Sequence, residues 1–193
     1  MSDEDLFLQV QHGELGALEA LVRRHHRRVY ALAYRLVHDR QAAEDLTQET
    51  FFRVIRARHR YRHPEPFRPW LYAIATNLCR DYHKRAYHQR EIPRDLDPAE
   101  VAETGAGPGE VAEQRAERRH MLQALRRLSP KHREVLALHF YEELTLQEIA
   151  RICGIPLGTV KSRLSWALRR LREILVIPVP DVPDGEERHR AHP

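Results

Sequence analysis

The stretch at residues 145–172 constrains the fold most strongly, because it specifies two short helices and the tight turn between them. Thr145 and Glu148 have the spacing of a capping box, which marks the start of a helix. Gly154 can take the left-handed conformation that ends a helix, and Pro156 cannot continue one. The chain is therefore predicted to turn within about four residues and to begin its second helix near Pro156.

The second of these helices is amphipathic. Its polar side carries a lysine, two serines, an arginine and a tryptophan, and short donors with a lysine near a helix start are typical of a recognition helix that enters the DNA major groove. A helical hairpin with a solvent-exposed basic face is the alternative. The apolar stripe that is predicted to face inward comprises Val160, Leu164, Ala167, Leu168, Leu171, Ile174 and Leu175.

The charge distribution divides the chain into two basic parts. Residues 1–90 carry 16 Lys/Arg against 11 Asp/Glu, residues 115–175 carry 13 against 6, and residues 91–114 carry one against 7. A net charge of +4 and a pI of about 9.3 favour a polyanionic partner, and the clustering of the charge favours nucleic acid over a membrane. The predicted organisation is an N-terminal body at 1–90, a flexible acidic linker at 91–112, a C-terminal body at 113–176 and a disordered tail at 177–193.

Hydrophobic periodicity and capping residues predict helices along both bodies. No stretch has the alternating pattern of a strand, so the predicted fold class is all-α with two small helical domains. The expected helices cover 3–12, 15–37, 41–58, 70–85 and 113–128, followed by one that Ser129 and Pro130 begin and by the two helices described above.

The predicted helix at 41–58 has an unusual polar side. On a helical wheel, Phe52 falls among Asp45, Gln48 and Glu49, opposite the apolar side. An aromatic ring on a face that should be wet lowers solubility unless a partner covers it. The stripe indicates a protein-docking surface, with a single stray exposed phenylalanine as the alternative.

Residues 59–70 alternate basic with aromatic side chains between prolines, and are predicted to form a loop. The helix that follows is predicted to carry further cations, a tryptophan and an amide on its outer side. Aromatic rings that stack on bases, together with cations that hold phosphate, are typical of a surface for unpaired nucleic acid. The alternative is an ordinary basic helix with its tryptophan as a partly buried anchor. The residues concerned are Arg60, Tyr61, Phe67, Trp70, Asn77, Arg80 and Lys84.

Other classes of protein find little support. Cys79 and Cys153 both lie in helical patterns, which indicates reduced structural thiols and a cytoplasmic protein. No signal segment or apolar run of membrane-spanning length is present, so no membrane insertion is expected. The thirteen histidines lack cysteines at ligand spacing, and solvated or phosphate-adjacent histidine is favoured over a metal site. No nucleophile–base pair, phosphate loop or convincing carboxylate cluster indicates an enzyme, a metal or another cofactor.

Four stretches together resemble the sigma-70 family of bacterial transcription initiation factors, in its small two-domain extracytoplasmic-function group. They are A-E-D-L-T-Q-E-T-F-F-R-V at 43–54, F-R-P-W-L-Y-A-I-A-T-N at 67–77, L-S-P-K-H-R-E-V-L at 128–136 and L-T-L-Q-E-I-A-R-I-C-G-I-P-L-G-T-V-K-S-R-L at 144–164. Their order and separation match the second and fourth conserved regions of that group. Ala73 and the pair Ser165 and Trp166 depart from the family pattern, so the resemblance implies no particular promoter sequence.

The resemblance implies a division of roles. The helix at 41–58 would grip the clamp helices in the largest subunit of core RNA polymerase, and the segment at 59–85 would melt the −10 element and hold a flipped base. Asn77 matches the amide of the base pocket, and Trp70 and Tyr72 match its aromatic residues. The positions that would face the duplex −35 element are Pro156, Gly158, Thr159, Lys161, Ser162, Ser165 and Trp166.

The expected partners are therefore core RNA polymerase, promoter DNA and an anti-sigma factor, with the free protein a monomer. A free-standing helix-turn-helix regulator is the alternative. Such a regulator would use residues 145–172 in the same way but would need neither the Phe52 stripe nor the aromatic residues of 59–85.

Overall fold

The computed structural model describes residues 1–89 and 112–175, which are helical, with no strand in either range. The helices are α1 (Asp3–Gln11), α2 (Leu15–Val37), α3 (Arg40–Arg56), α4 (Phe67–Gln89), α5 (Ala112–Arg126), α6 (Pro130–Phe140), α7 (Leu146–Cys153) and α8 (Leu157–Leu175), with a short 3₁₀ turn at Arg58–Arg60. The predicted all-α fold class is confirmed. The predicted linker and tail lie outside the described residues, apart from residue 112, which begins α5.

The N-terminal body (residues 1–89) is built around α2, which packs against α1, α3 and α4. Its inner side buries Val29, Leu32 and Ala33, as the spacing of apolar residues predicts. Short polar side chains cap the N-termini of two of these helices, α1 and α3. Ser2 and Asp5 form a capping box at α1, and the Asp39 carboxylate accepts the Ala42 N–H at 2.8 Å at the start of α3.

Helix α4 begins three residues earlier than the sequence predicts. The Phe67 N–H donates to the Glu4 carboxylate at 2.9 Å, so a side chain of α1 satisfies the first turn of α4. Pro69 is the third residue of the helix, where its missing N–H breaks no intrahelical bond. Because the capping group comes from 63 residues away, local sequence gives no sign of it.

In the C-terminal body (residues 112–175), α8 packs against α5, α6 and α7. The capping box predicted at Thr145 and Glu148 is present in both directions, and Gly154 ends α7 with a φ of +64°. The predicted inner stripe of α8 is confirmed at Val160, Leu164 and Ala167, which are buried. The turn between α7 and α8 is thus the one that the sequence specifies.

The two bodies contact each other directly. Helix α4 packs against α7, and α2 packs against α6. Arg133 of α6 is buried and donates to the Leu36 carbonyl at the end of α2 at 2.7 Å. The sequence predicts two bodies and offers no sign of this contact, which depends on polar side chains spaced along the surfaces of four helices.

Two histidines depart from the solvated role that the sequence favours. His25 is buried, its Nε2 lies 2.8 Å from the Asp3 carboxylate, and the centre of its ring lies 5.6 Å from that of Phe67. Burial lowers the pKa of His25, while the charge of Asp3 opposes that shift. His38 ends α2 in the left-handed conformation with a φ of +58°, and burial, followed by the positive charges of Arg133 and Arg126, lowers its pKa to about 2.

Candidate functional site

Helix α3 presents the predicted polar stripe to solvent. Phe52 is 53% exposed, with the Arg56 guanidinium 5.5 Å from the centre of its ring. Asp45 is exposed and accepts a bond from the Gln41 amide at 3.1 Å, and Gln48 is also exposed. Glu49 is half-buried, with its carboxylate 2.7 Å from Arg53. The stripe is therefore an accessible surface that combines an aromatic ring with amide and acidic groups.

The loop before α4 is organised by an aromatic cluster made of Phe7, Tyr61, Phe67 and Trp70. The ring of Phe7 is 5.0 Å from Tyr61, 5.0 Å from Phe67 and 5.2 Å from Trp70, measured between centroids. The Gln11 amide donates to the carbonyls of Arg58 and Tyr61 at 2.6 and 3.0 Å. Helix α1 therefore fixes both the backbone and the side chains of the loop.

The prediction that Tyr61 and Phe67 offer their rings to unpaired bases is wrong for this structure. Tyr61 is 3% exposed and Phe67 1% exposed, and the Tyr61 hydroxyl donates to the Glu65 carbonyl. Their rings are buried because α1 covers them with Phe7, a contact that a helical wheel of α4 does not include. Trp70 is half-buried and packs on the same cluster, which agrees with the anchor alternative.

The outer side of α4 separates into accessible and engaged residues. Asn77 and Lys84 are exposed, as is Arg60 in the preceding turn. The Arg80 guanidinium is half-buried and donates to the Asn77 side-chain oxygen at 2.7 Å. Asn77 and Arg80 thus form one polar unit, with Lys84 one turn further along the helix.

Tyr72 cannot be an aromatic residue of an open base pocket in this structure, because its side chain is completely buried. Its hydroxyl donates to the carboxylate of Glu142, which belongs to the C-terminal body. Burial, and then the neighbouring charge of Glu142, raises the pKa of Tyr72 well above its usual range. The assignment that the resemblance implies for Tyr72 is therefore corrected to an internal contact.

The start of α8 is presented to solvent, as expected for a recognition helix. Thr159 is half-buried and its carbonyl accepts the Ser162 hydroxyl at 3.0 Å, while Trp166 is 36% exposed and stacks on His132 with 4.0 Å between ring centroids. A positive charge with short donors at a helix N-terminus can meet phosphates and base edges. The exposed predicted residues are Pro156, Gly158, Lys161, Ser162, Ser165 and Trp166.

Several residues that shape these surfaces were not found from the sequence. Phe7 and Gln11 position the loop from α1, and Arg133 joins two helix ends. Glu134 and Glu142 hold residues of α4 from the opposite body. The only sequence signal for the last pair is that both are acidic side chains within a basic body.

Comparison with known proteins now identifies the family. The model for Sigma-70 region 2 matches residues 21–89, and that for Sigma-70 region 4 matches residues 124–173. RNA polymerase sigma factor CarQ of Myxococcus xanthus is 38% identical over 166 residues, which cover 84% of this chain and 91% of that protein. The chain belongs to the sigma-70 family. This sigma factor falls in the extracytoplasmic-function group and acts in promoter-directed transcription initiation.

Further relatives agree with this assignment. The extracytoplasmic-function sigma factor SigE of Mycolicibacterium smegmatis is 39% identical over 161 residues, 81% of this chain and 61% of that protein. The sigma factor RpoE of Bartonella quintana, solved with the anti-sigma factor NepR, superposes with a TM-score of 0.67 at 27% identity over 82% of this chain and 96% of that one. CnrH, solved with the cytosolic domain of CnrY, has the same fold, with a TM-score of 0.69 at 24% identity over 90% and 97% of the two chains.

The sigma-70 family is not a class of enzymes. Within residues 1–89 and 112–175, no helix combines the length with the apolar character that crossing a bilayer requires. Across the same two ranges, His, Cys, Asp and Glu side chains nowhere gather in a group of three or more that could hold a metal ion.

Proposed function

We propose that this sigma factor docks on core RNA polymerase through the α3 stripe. Asp45, Gln48, Glu49 and Phe52 would contact the clamp helices of the largest subunit. The observation that carries the proposal is the exposure of Phe52 among polar residues. An aromatic ring that is exposed on a polar helix face contributes favourable binding free energy when a partner buries it. Aromatic residues are also the side chains that most often dominate the energy of an interface.

The C-terminal body would read the duplex −35 element. Lys161 and the hydroxyls of Ser162 and Ser165 lie on the exposed face of α8, and Thr159 lies close to its start. Each well-placed base contact of such a helix discriminates by about 1–3 kcal/mol. Pro156, Gly158 and Trp166 complete the proposed duplex-facing surface.

The N-terminal body would hold the melted −10 element along the outer side of α4. Asn77 offers an amide to a base edge, and Arg60, Arg80 and Lys84 offer charge to phosphates. The exposed part of Trp70 offers the aromatic surface. Tyr61 and Phe67 act indirectly in this proposal, because they fix the loop from which Arg60 projects.

In this proposal the free protein is a monomer, and it binds its partners in the cytoplasm. The sigma factor RpoE of Bartonella quintana was solved with the anti-sigma factor NepR. We propose that a similar regulator binds this sigma factor when it is not engaged by polymerase. The predicted flexible linker between the two bodies would let them span elements whose separation the polymerase sets.

Removal of the docking stripe tests the proposal. The double substitution Asp45→Ala/Phe52→Ala is expected to abolish binding to labelled core RNA polymerase in a fluorescence anisotropy titration without DNA. The matched control is Glu19→Ala/Leu15→Ala, which removes an exposed carboxylate and an exposed apolar side chain from α2. Binding of the stripe variant at the affinity of the control would refute the docking surface and would show that the polymerase contact lies elsewhere on the protein.

A further inference from the structure

A histidine of α6 lies against the tryptophan of the proposed −35 surface. The rings of His132 and Trp166 are stacked, with 4.0 Å between their centroids and 22° between their planes. Trp166 is 36% exposed, and His132 is half-buried. Stacked aromatic rings attract each other beyond the effect of the area they bury. His132 therefore covers part of the indole and leaves the remainder accessible to a ligand.

The imidazole of His132 is itself held in place. Its Nδ1 lies 2.8 Å from the Ser129 hydroxyl oxygen, and its backbone N–H donates to the Ser129 carbonyl at 3.0 Å. The Ser129 side chain makes no capping bond to the helix that follows it, so its hydroxyl serves the histidine. The next turn of α6 is anchored in the core by Val135 and Leu136. The tryptophan thus rests on a ring that is fixed at both its backbone and its side chain.

The charge state of His132 suits a supporting role. Burial, and then the positive charges of Lys131 and Arg163, lower the pKa of His132, so its ring is mostly neutral at pH 7. A protonated imidazole would be a ligand for phosphate, whereas a neutral one offers the indole a flat surface without charge. The contribution of His132 is therefore made through the side chain that it supports.

The indole differs in chemistry from the rest of the proposed −35 surface. Trp166 follows Ser162 by one helical turn on α8, so the two side chains lie on the same side of the helix. It is the only aromatic residue among the seven that are proposed to face the duplex. The base edges in the major groove present a single kind of apolar group, which is the C5 methyl of thymine. A thymine methyl is therefore the group in the groove that the indole matches best.

We propose that His132 is a positioning residue for promoter recognition: it holds the indole of Trp166 where the ring contacts the methyl group of one thymine in the −35 element. A side chain that is ordered before binding loses less conformational entropy on the DNA, so its contact contributes more to affinity. This inference rests on the proposed role of α8 in reading duplex DNA, and it extends the specificity of that helix to a residue of α6.

The test measures recognition of a single methyl group. Holoenzymes are reconstituted from core RNA polymerase and the wild-type or variant full-length protein, and each selects duplexes from a randomised library. The thymine whose selection depends on Trp166 is found by comparison with Trp166→Ala. Fluorescence anisotropy then compares the selected duplex with one that carries deoxyuridine at that position, which removes only the methyl group.

We expect the wild-type holoenzyme to bind the thymine duplex about fourfold more tightly than the deoxyuridine duplex, the factor that burial of one methyl group provides. Trp166→Ala should abolish this preference, and His132→Ala should reduce it to less than about twofold because the indole is then free to reorient. His132→Phe should retain it, since a ring still supports the indole. The matched control is His120→Ala, which removes an exposed histidine of the same body and should leave the preference unchanged.

The ratio of the two affinities separates positioning from stability, because a variant that only destabilised the body would bind both duplexes less tightly. An unchanged ratio in His132→Ala or in Trp166→Ala would overturn the proposal. A selected −35 element in which Trp166→Ala alters no thymine would overturn this inference alone. If the wild-type holoenzyme selected no upstream element, the proposed role of α8 would fail, and this inference with it.

Circular dichroism establishes that the variants retain their helices. If His132→Ala does not fold, Ser129→Ala provides the second test, because it removes only the hydroxyl that holds the imidazole. The proposal then requires a lower preference for thymine in Ser129→Ala than in the wild-type protein, and an equal preference would contradict it.

Discussion

Replacement of Phe7 by alanine should destabilise the whole N-terminal body. Its side chain is completely buried and contacts three aromatic rings with centroids 5.0 to 5.2 Å away. Truncation of a buried phenylalanine costs about 3–5 kcal/mol, and each aromatic pair contributes about 0.5–1.5 kcal/mol beyond area burial. Since a typical domain is stable by only about 5–15 kcal/mol, we expect a loss of roughly 4 kcal/mol to leave the N-terminal body marginally folded.

Urea unfolding followed by tryptophan fluorescence measures this loss. Trp70 lies in the cluster, so Phe7→Ala is best made with Trp166→Phe, which leaves Trp70 as the sole reporter. Leu8→Ala is the matched control, because Leu8 follows Phe7 on α1 but is exposed. A loss below about 1 kcal/mol for Phe7→Ala, or a loss equal to that of Leu8→Ala, would show that α1 does not hold the loop in place.

Two further substitutions report on single helix ends. Thr145→Ala should cost about 1 kcal/mol of unfolding free energy, because it removes the acceptor of the Glu148 N–H, whereas Thr145→Ser should be close to neutral; an equal loss in both would contradict the capping assignment. Acidification should destabilise the protein through His38, whose pKa is lowered from 6.5 to about 2 in the folded state. As the pH falls below 6.5, His38 is protonated in the unfolded chain but stays neutral in the folded chain, so the unfolded state is favoured. His38 should thus contribute a loss of about 1.4 kcal/mol between pH 7.5 and pH 5.5 in urea titrations, to which His25 and His83, whose pKa values burial also lowers, add in the same direction. His38→Asn, which suits the left-handed backbone, should lose that share of the pH dependence, while Glu142, with a pKa raised by burial, contributes in the opposite direction in both proteins.

Local chemistry determines what could be predicted of this fold. The capping box at Thr145, the helix end at Gly154 and the apolar stripe of α8 depend on neighbours within four residues, and each is present as expected. The wheel of α3 likewise places Phe52 correctly on the exposed side. In these cases the pattern in the sequence and the force that stabilises the structure involve the same short segment.

The errors have a common physical origin in contacts between distant segments. Tyr61 and Phe67 were expected on the surface because their own neighbours are basic and polar, yet α1 brings Phe7 across them. The resemblance assigns Tyr72 to a base pocket, whereas its hydroxyl donates to the side chain of Glu142, 70 residues away. A segment that alternates aromatic residues with arginines looks the same in sequence whether its rings stack on bases or pack against another ring. Composition alone could therefore not distinguish a base-stacking surface from a buried aromatic cluster.

The hydrogen bonds of Arg133 would leave few polar groups without a partner if the two bodies separated. Its guanidinium donates to three carbonyls of its own body, those of Leu125, Arg126 and Leu128, and to only one in α2. The Leu36 carbonyl it would release already has a second donor in His83 Nε2, 3.0 Å away. If the two bodies separated, Arg133 would therefore keep three acceptors and the Leu36 carbonyl would keep a donor. The hydrogen bonds within each body would be unchanged.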